Sequence, residues 1–347
     1  MMNAWVATSQ QRQSFEKVAA PMIGDLHKQY SSLPSDCEYL LQVMSSSVSP
    51  SDLHPTIAVY PHVTGSDVSA VVTEVGPNCT RFKVGDKVWG DIGANTKTIS
   101  GQKTKELGGY GEYVVALETQ LGHMPKNVDF NEAGSLPKVA LTSYKALVWY
   151  AGALSDPLWK KGPTVLVLGG SGGTGTVGLQ LAKVFGAGYI VTTTSAANAD
   201  YCKGLGADQV IDYHTQNWWD VLKDNSVDVV YDTVGQTGTG NRAMDKLKVG
   251  GYFVTIAGAL ADKVKPGVHQ NFFINSDTNL SNEPEMLALT TLVEANSVRM
   301  KRIQQVFPLD QMEAAFNLSK TGHVVGKIVI SVAKSSPTSD SEPSKPL

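Results

Sequence analysis

The chain has 347 residues, 42% of them hydrophobic, enough for two domains with well-buried cores. Its 29 basic and 32 acidic residues leave a formal charge of −3 with no basic tract and no interleaved aromatics, which argues against nucleic acid as a partner. No segment reaches the run of about 18 apolar residues that a membrane span needs, so no membrane is expected, and Cys37, Cys79 and Cys202 lie too far apart for a disulfide framework or a metal site, the usage of a reducing, cytoplasmic compartment.

In chain order, the opening MMNAWVATSQQRQSFEKVAA lacks the continuous apolar core of a signal peptide. Residues 1–125 carry short β-rich runs, DCEYLLQV, DVSAVVTEVG and GEYVVAL, between Gly, Pro and Ser turns, which predicts a small β-rich domain. From 126 to 270 apolar runs alternate with helical segments. Strands are expected at 164–168, 189–193, 209–211, 227–231 and 252–256, with room between them for crossover helices. That alternation predicts an α/β fold with a doubly wound parallel sheet. Val177, Leu181, Val184 and Phe185 give its first helix an apolar face, and Gly186 and Gly188 stop it. Residues 271–334 hold the run NFFI, helices around 285–295 and 310–318, and a last strand GKIVISV. With no βαβ partner after it, that strand is expected to return to the first domain, leaving the nucleotide fold as an insertion. The polar, proline-rich 335–347 are expected to be disordered.

The first predicted strand of the parallel sheet runs into Gly170-Ser171-Gly172-Gly173-Thr174-Gly175 and then straight into a helix. In G-x-G-x-x-G the glycines give a tight turn, room for a pyrophosphate and close helix–strand contact, and the helix amino end offers N–H groups to the phosphates. No Gly-Lys-Ser/Thr closes the motif, which excludes a Walker loop. An acid ending the second strand would bind a ribose 2′-hydroxyl; here Thr193, Thr194 and Ser195 fill that corner and the first acid is Asp200. NADPH is therefore expected, with Ser195, Asn198 and Tyr213 toward its extra phosphate and Lys203 either a charged partner or a solvated helix lysine.

VLVLGGSGGTGTVGLQLAK, LGADQVIDY, VVYDTVG, GSDVSAVVTEVG, FKVGDKVWG and LPKVALTSYKAL, taken together, resemble the medium-chain dehydrogenase/reductases, specifically their zinc-independent, zeta-crystallin-like quinone oxidoreductase branch. The resemblance implies a GroES-like domain, an inserted Rossmann domain, NADPH, a homodimer formed through sheet edges with NFFI a candidate edge strand, and reduction of small-molecule quinones or α,β-unsaturated carbonyls. Where zinc enzymes of that superfamily carry Cys-His-x-Asp and Gly-His-Glu, this chain has Ser49-Pro50-Ser51-Asp52 and Gly65-Ser66-Asp67. A catalytic zinc needs three converging N, S or O ligands; His54 and His62 alone do not make a site, so no metal is expected.

The same resemblance supplies candidate roles. Ser49 stands where the branch usually has Asn, and Tyr60 follows it at the spacing of a pocket tyrosine, which makes these two the catalytic candidates. The segment between Asp52 and Gly65 is several residues short of the pattern. Thr142 matches the position that approaches the nicotinamide end. Thr233, Val234, Ile256 and Ala257 end sheet strands where ligands of open α/β sheets bind, and Phe273 with Ile274 matches a segment closing over the nicotinamide. Asp232 reads as a turn former before Thr-Val-Gly. An enoyl reductase of thioester or secondary-metabolite substrates and a non-catalytic NADPH-binding protein are the alternatives.

Overall fold

Two sheets with different periodicities organise the chain. The structure, a computed structural model, describes residues 1–347 except 10–11, 32–36, 54–58, 94–95, 105–107, 276–281 and 334–347; His54 and the expected disordered tail 335–347 lie outside the described residues. In the strand Thr164–Leu168, Val165 and Val167 enter one apolar cluster while Leu166 and Leu168 enter another on the opposite face. A strand apolar at every position is buried on both faces, which is the situation of a parallel sheet covered by helices.

That sheet has six strands, all parallel, in the order Gln209–Asp212, Tyr189–Thr194, Thr164–Leu168, Val227–Asp232, Leu247–Thr255, His269–Phe272. Numbered along the chain this is 3-2-1-4-5-6, the doubly wound Rossmann arrangement, whose direction reverses beside Thr164–Leu168. The first helix, Gly173–Val184, buries Val177 and Leu181, and Phe185 packs against the same core. Val184 is instead 38% exposed and leaves the expected apolar face.

The second sheet has seven strands, and Glu38–Val48 lies at its centre. Asp67–Val75 pairs along one edge of it. The other edge is shared: Tyr113–Leu117 pairs residues 38–42, and the last strand, Lys327–Ser331, pairs residues 45–48. An N-terminal hairpin, Met2–Ser9 with Arg12–Val18, forms a separate small sheet that His62–Val63 joins. The sequence reading passed over it because its outer strand is largely polar, with only Phe15 and Val18 apolar. The sheets are bridged where Gly172 and Gly326 pair in parallel and Gly326 N donates to Ser171 O at 2.8 Å.

Cys37 and Cys79 form a disulfide across 42 residues, while Cys202 is free and buried. This corrects the expectation of three unpaired cysteines, and with it the cysteine argument for a reducing compartment. Sequence separation hid the pair: residue 37 precedes the central strand, residue 79 follows its partner strand, and antiparallel pairing of Tyr39 with Val75 brings them together. Breaking a loop of this length costs roughly 2–4 kcal/mol. Cys79→Ser should lower urea-unfolding stability by about that amount, and dithiothreitol should produce the same loss in the wild type but none in the variant.

Candidate active site

The strand Thr164–Leu168 ends on Gly169, which sits at φ +80° and so admits no side chain cheaply. Its carbonyl accepts from Gly172 N at 3.1 Å, closing the turn that leads into the helix Gly173–Val184. The glycines divide into two kinds. A Cβ at Gly170 would strike the Thr192 side chain and one at Gly175 the Gly169 carbonyl, so these two allow the loop, the helix and the sheet to pack. A Cβ at Gly172 would meet only Gly169 O at 3.5 Å and would otherwise occupy open space. Gly172, Gly173, Thr174 and Ser171 line a cleft of about 960 Å³ at the reversal of strand order, whereas Gly170 and Gly175 lie behind it. The first helical turn leaves its N–H groups without intrahelical partners, at the positive end of the helix.

From this cradle the cleft runs two ways. At one end Thr194 Oγ1 donates to Ser171 Oγ at 2.7 Å and Asn198 Nδ2 to Ser195 Oγ at 3.0 Å. Tyr213, half exposed and tilted against His214 at 4.3 Å between ring centres, lines the same end together with Trp218 and Trp219. Lys203 pairs with Asp200 on the helix surface at 3.7 Å and does not line the cleft. At the other end lie Thr233 and Val234, Ile256 and Ala257, then Phe273, stacked on Tyr150 at 4.6 Å, and the more exposed Ile274. Thr142 faces them from the helix Pro137–Lys145. Asp232 is fully buried and accepts from the N–H groups of Val234 and Gly235 and from Thr255 Oγ1, the turn-forming role read from sequence.

The floor comes from the other sheet. Ser49, 5% exposed, lines the cleft, and Asp52 Oδ2 accepts from its N–H at 2.8 Å. Asp52 also accepts from the Tyr110 hydroxyl. Asp67 accepts from Ser47 Oγ at 2.6 Å and from Lys138 N at 2.7 Å. Beside them Asp91 accepts from Asn275 Nδ2 at 2.7 Å, and burial, with Asp67 nearby, pushes its carboxyl up to about 6. Two residues that the sequence reading did not single out, Lys138 and Lys327, line this floor. Lys327 carried a signal, a lysine inside the apolar closing strand GKIVISV. Lys138, Lys327, His214 and His323 line the cleft, and among its described lining residues there is no carboxylate.

Tyr60 is not among the lining residues. His62 and Val63 pair with Ala7 and Val6 of the N-terminal hairpin, and this register draws the segment to that side, where Val59, Pro61 and His62 border a different cavity of about 490 Å³. The residues at the two matched ligand positions do not fit a catalytic zinc either: Ser49, in the cleft, and Ser66, buried, offer only hydroxyls. Among the described residues the one converging trio of metal-ligating types is Cys37, Cys79 and Glu118, and its two sulfurs are bonded to each other.

Comparison with known proteins agrees with this architecture. The model of the alcohol dehydrogenase GroES-like domain matches residues 35–126 and that of the zinc-binding dehydrogenase domain residues 205–330. A 2-methylene-furan-3-one reductase of Solanum lycopersicum is 33% identical over 302 residues, 84% of this chain and 71% of the relative. An NADPH-dependent alkenal/one oxidoreductase, chloroplastic, of Arabidopsis thaliana is 30% identical, covering 84% and 72%. The solved quinone oxidoreductase of Coxiella burnetii superposes with a TM-score of 0.75 at 26% identity, covering 96% of this chain and 99% of that one. The chain belongs to the medium-chain dehydrogenase/reductase superfamily, on the side of its quinone and alkenal oxidoreductases, and its cradle fits a nicotinamide dinucleotide. The two kinds of glycine separate in a binding assay. Gly172→Ala should weaken nicotinamide dinucleotide binding at least tenfold, about 1.4 kcal/mol, with thermal stability unchanged, whereas Gly175→Ala should lower both; fluorescence titration and a thermal melt read the two effects.

Proposed function

We propose that this protein is an NADPH-dependent reductase that adds hydride to quinones or α,β-unsaturated carbonyls without zinc. The observation that carries the reading is the cleft's charge: a glycine cradle at a helix amino end, two lysines, two histidines and no carboxylate among the described lining residues. Such a site favours the most anionic of the nicotinamide dinucleotides. Thr193–Ser195 presents hydroxyls where an acid would repel a 2′-phosphate, and Ser195, Asn198 and Tyr213 are the residues assigned to it. The reduced nicotinamide supplies the hydride. Thr142, Val234, Ala257 and Phe273 hold its ring end against the acceptor, which the protein aligns rather than activates with a metal.

An acceptor already conjugated to oxygen suits this arrangement because negative charge moves onto that oxygen as hydride arrives. The activities named for relatives, alkenal/one oxidoreductase and quinone oxidoreductase, support the same two classes. The strand His269–Phe272 ends the parallel sheet, with Phe272 47% and Ile274 41% exposed beside it, and these residues support pairing of two copies as a homodimer.

The test follows NADPH oxidation with ortho-quinones, para-quinones, enones and a thioester-linked enone. Turnover of a quinone or free enone is expected, and NADPH bound tightly but oxidised by none of them would reject the reading. Ser195→Asp should cut the preference for NADPH over NADH at least tenfold, about 1.4 kcal/mol, measured as the ratio of kcat/KM values. Light scattering should give twice the mass of the chain.

A further inference from the structure

The floor of the cleft holds a buried cation, Lys327, whose contacts reach beyond the attraction of an anionic cofactor. Lys327 is 4% exposed, and its ammonium donates to Val48 O at 2.8 Å and to Ser49 Oγ at 3.0 Å. Asp67 Oδ2 lies 3.8 Å from the same nitrogen. Two of the ammonium's three protons are hydrogen-bonded by the first two oxygens, and the carboxylate compensates its charge as an ion pair. Because Ser49 Oγ accepts from Lys327, its own proton is directed elsewhere. Ser49 borders the cleft, and its backbone is fixed through Asp52.

Resting on the reductase reading, we propose that Ser49 is the proton donor to the acceptor's oxygen and that Lys327 is the positioning residue that polarises this hydroxyl and replaces its proton. As hydride reaches the electron-poor carbon, the conjugated π pair moves onto oxygen. The oxyanion takes the Ser49 hydroxyl proton, Ser49 Oγ takes one from Lys327 Nζ, and the neutral amine regains a proton from water after product leaves. The sum per acceptor is one hydride and one proton, two electrons in all. A serine hydroxyl alone is too weak an acid for this step, and a buried ammonium at hydrogen-bond distance makes the transfer concerted.

The surroundings give the step a pH dependence. Burial lowers the pKa of Lys327, against the opposing charges of Asp67, Asp52 and Asp91 and with the added repulsion of Lys138. A donor works only while protonated, so kcat falls as pH rises through the titration of the pair. That alkaline limb should lie below the ordinary lysine range and should vanish in Ser49→Ala.

A reporter thiol tests the coupling without turnover. In Ser49→Cys the natural cysteines stay silent, because Cys37 and Cys79 are bonded and Cys202 is buried with its thiol pushed up to about 11. Alkylation by iodoacetamide, followed against pH, should titrate about 1 unit lower in Ser49→Cys than in the double variant Ser49→Cys, Lys327→Gln. Equal midpoints overturn the proposal. Ser49→Ala should bind NADPH as the wild type does, by fluorescence, and lose about 10²-fold in kcat, with Ser49→Thr recovering most of it; wild-type kcat in Ser49→Ala overturns the proposal even where the double variant fails to fold. A wild type that reduces no acceptor sinks the reductase reading together with the proton transfer, whereas equal midpoints in an active enzyme sink the proposal alone.

Discussion

An ammonium taken out of water has to be compensated, and Lys327 is compensated from three directions. Val48 O and Ser49 Oγ accept from it, and Asp67 lies within 4 Å. Removing one member of such a buried set costs about 3–5 kcal/mol, so the geometry around it is strongly held. Lys327 belongs to the last strand, Asp67 to a neighbour of the central strand, and Ser49 to the residues just after the central strand ends. One residue earlier, Gly326 hydrogen-bonds the glycine loop, and a Cβ at Gly173 would press on the Lys327 side chain at 2.8 Å. The cofactor cradle and the acceptor floor are thus built against the same lysine.

The distribution of charge follows from that arrangement. The carboxylates near the floor, Asp52, Asp67 and Asp91, are fully buried and turned toward backbone N–H groups, hydroxyls and lysines rather than toward the cleft. Their charge stabilises cations, and the cations line the opening. With cations at the opening and no carboxylate among the described lining residues, such a site favours an anionic ligand and does not repel an oxyanion.

How much of this was legible from the chain depends on how local each signal was. The parallel sheet was readable because its first strand is apolar on both faces and the glycine loop follows it at once; the strands extend only a residue or so past most of the expected ends, apart from Leu247–Thr255, which begins earlier. The hydroxyl-bearing corner that lines the cleft was visible for the same reason, since Thr193, Thr194 and Ser195 are consecutive. Contacts between distant residues were not. Lys327 meets Ser49 across 278 positions, and nothing in the periodicity of either strand announces the pair. Tyr60 lies off the cleft for a related reason: its spacing from Ser49 suggested a pocket residue, but His62 and Val63 pair with the N-terminal hairpin. The hairpin had itself gone unread because its outer strand is polar.

The disulfide brackets a particular piece of chain. Ser49, Asp52 and Asp67 all lie between Cys37 and Cys79, so these three contributions of the seven-stranded sheet to the floor belong to one covalently closed contour, with Asp91 outside it. Closing a contour removes disordered alternatives from the unfolded chain, and here the alternatives removed are those of the segment that must answer the buried ammonium. Thiol status therefore acts on the same stretch that carries Ser49, and a bond outside the cleft lining becomes part of what keeps that residue in register.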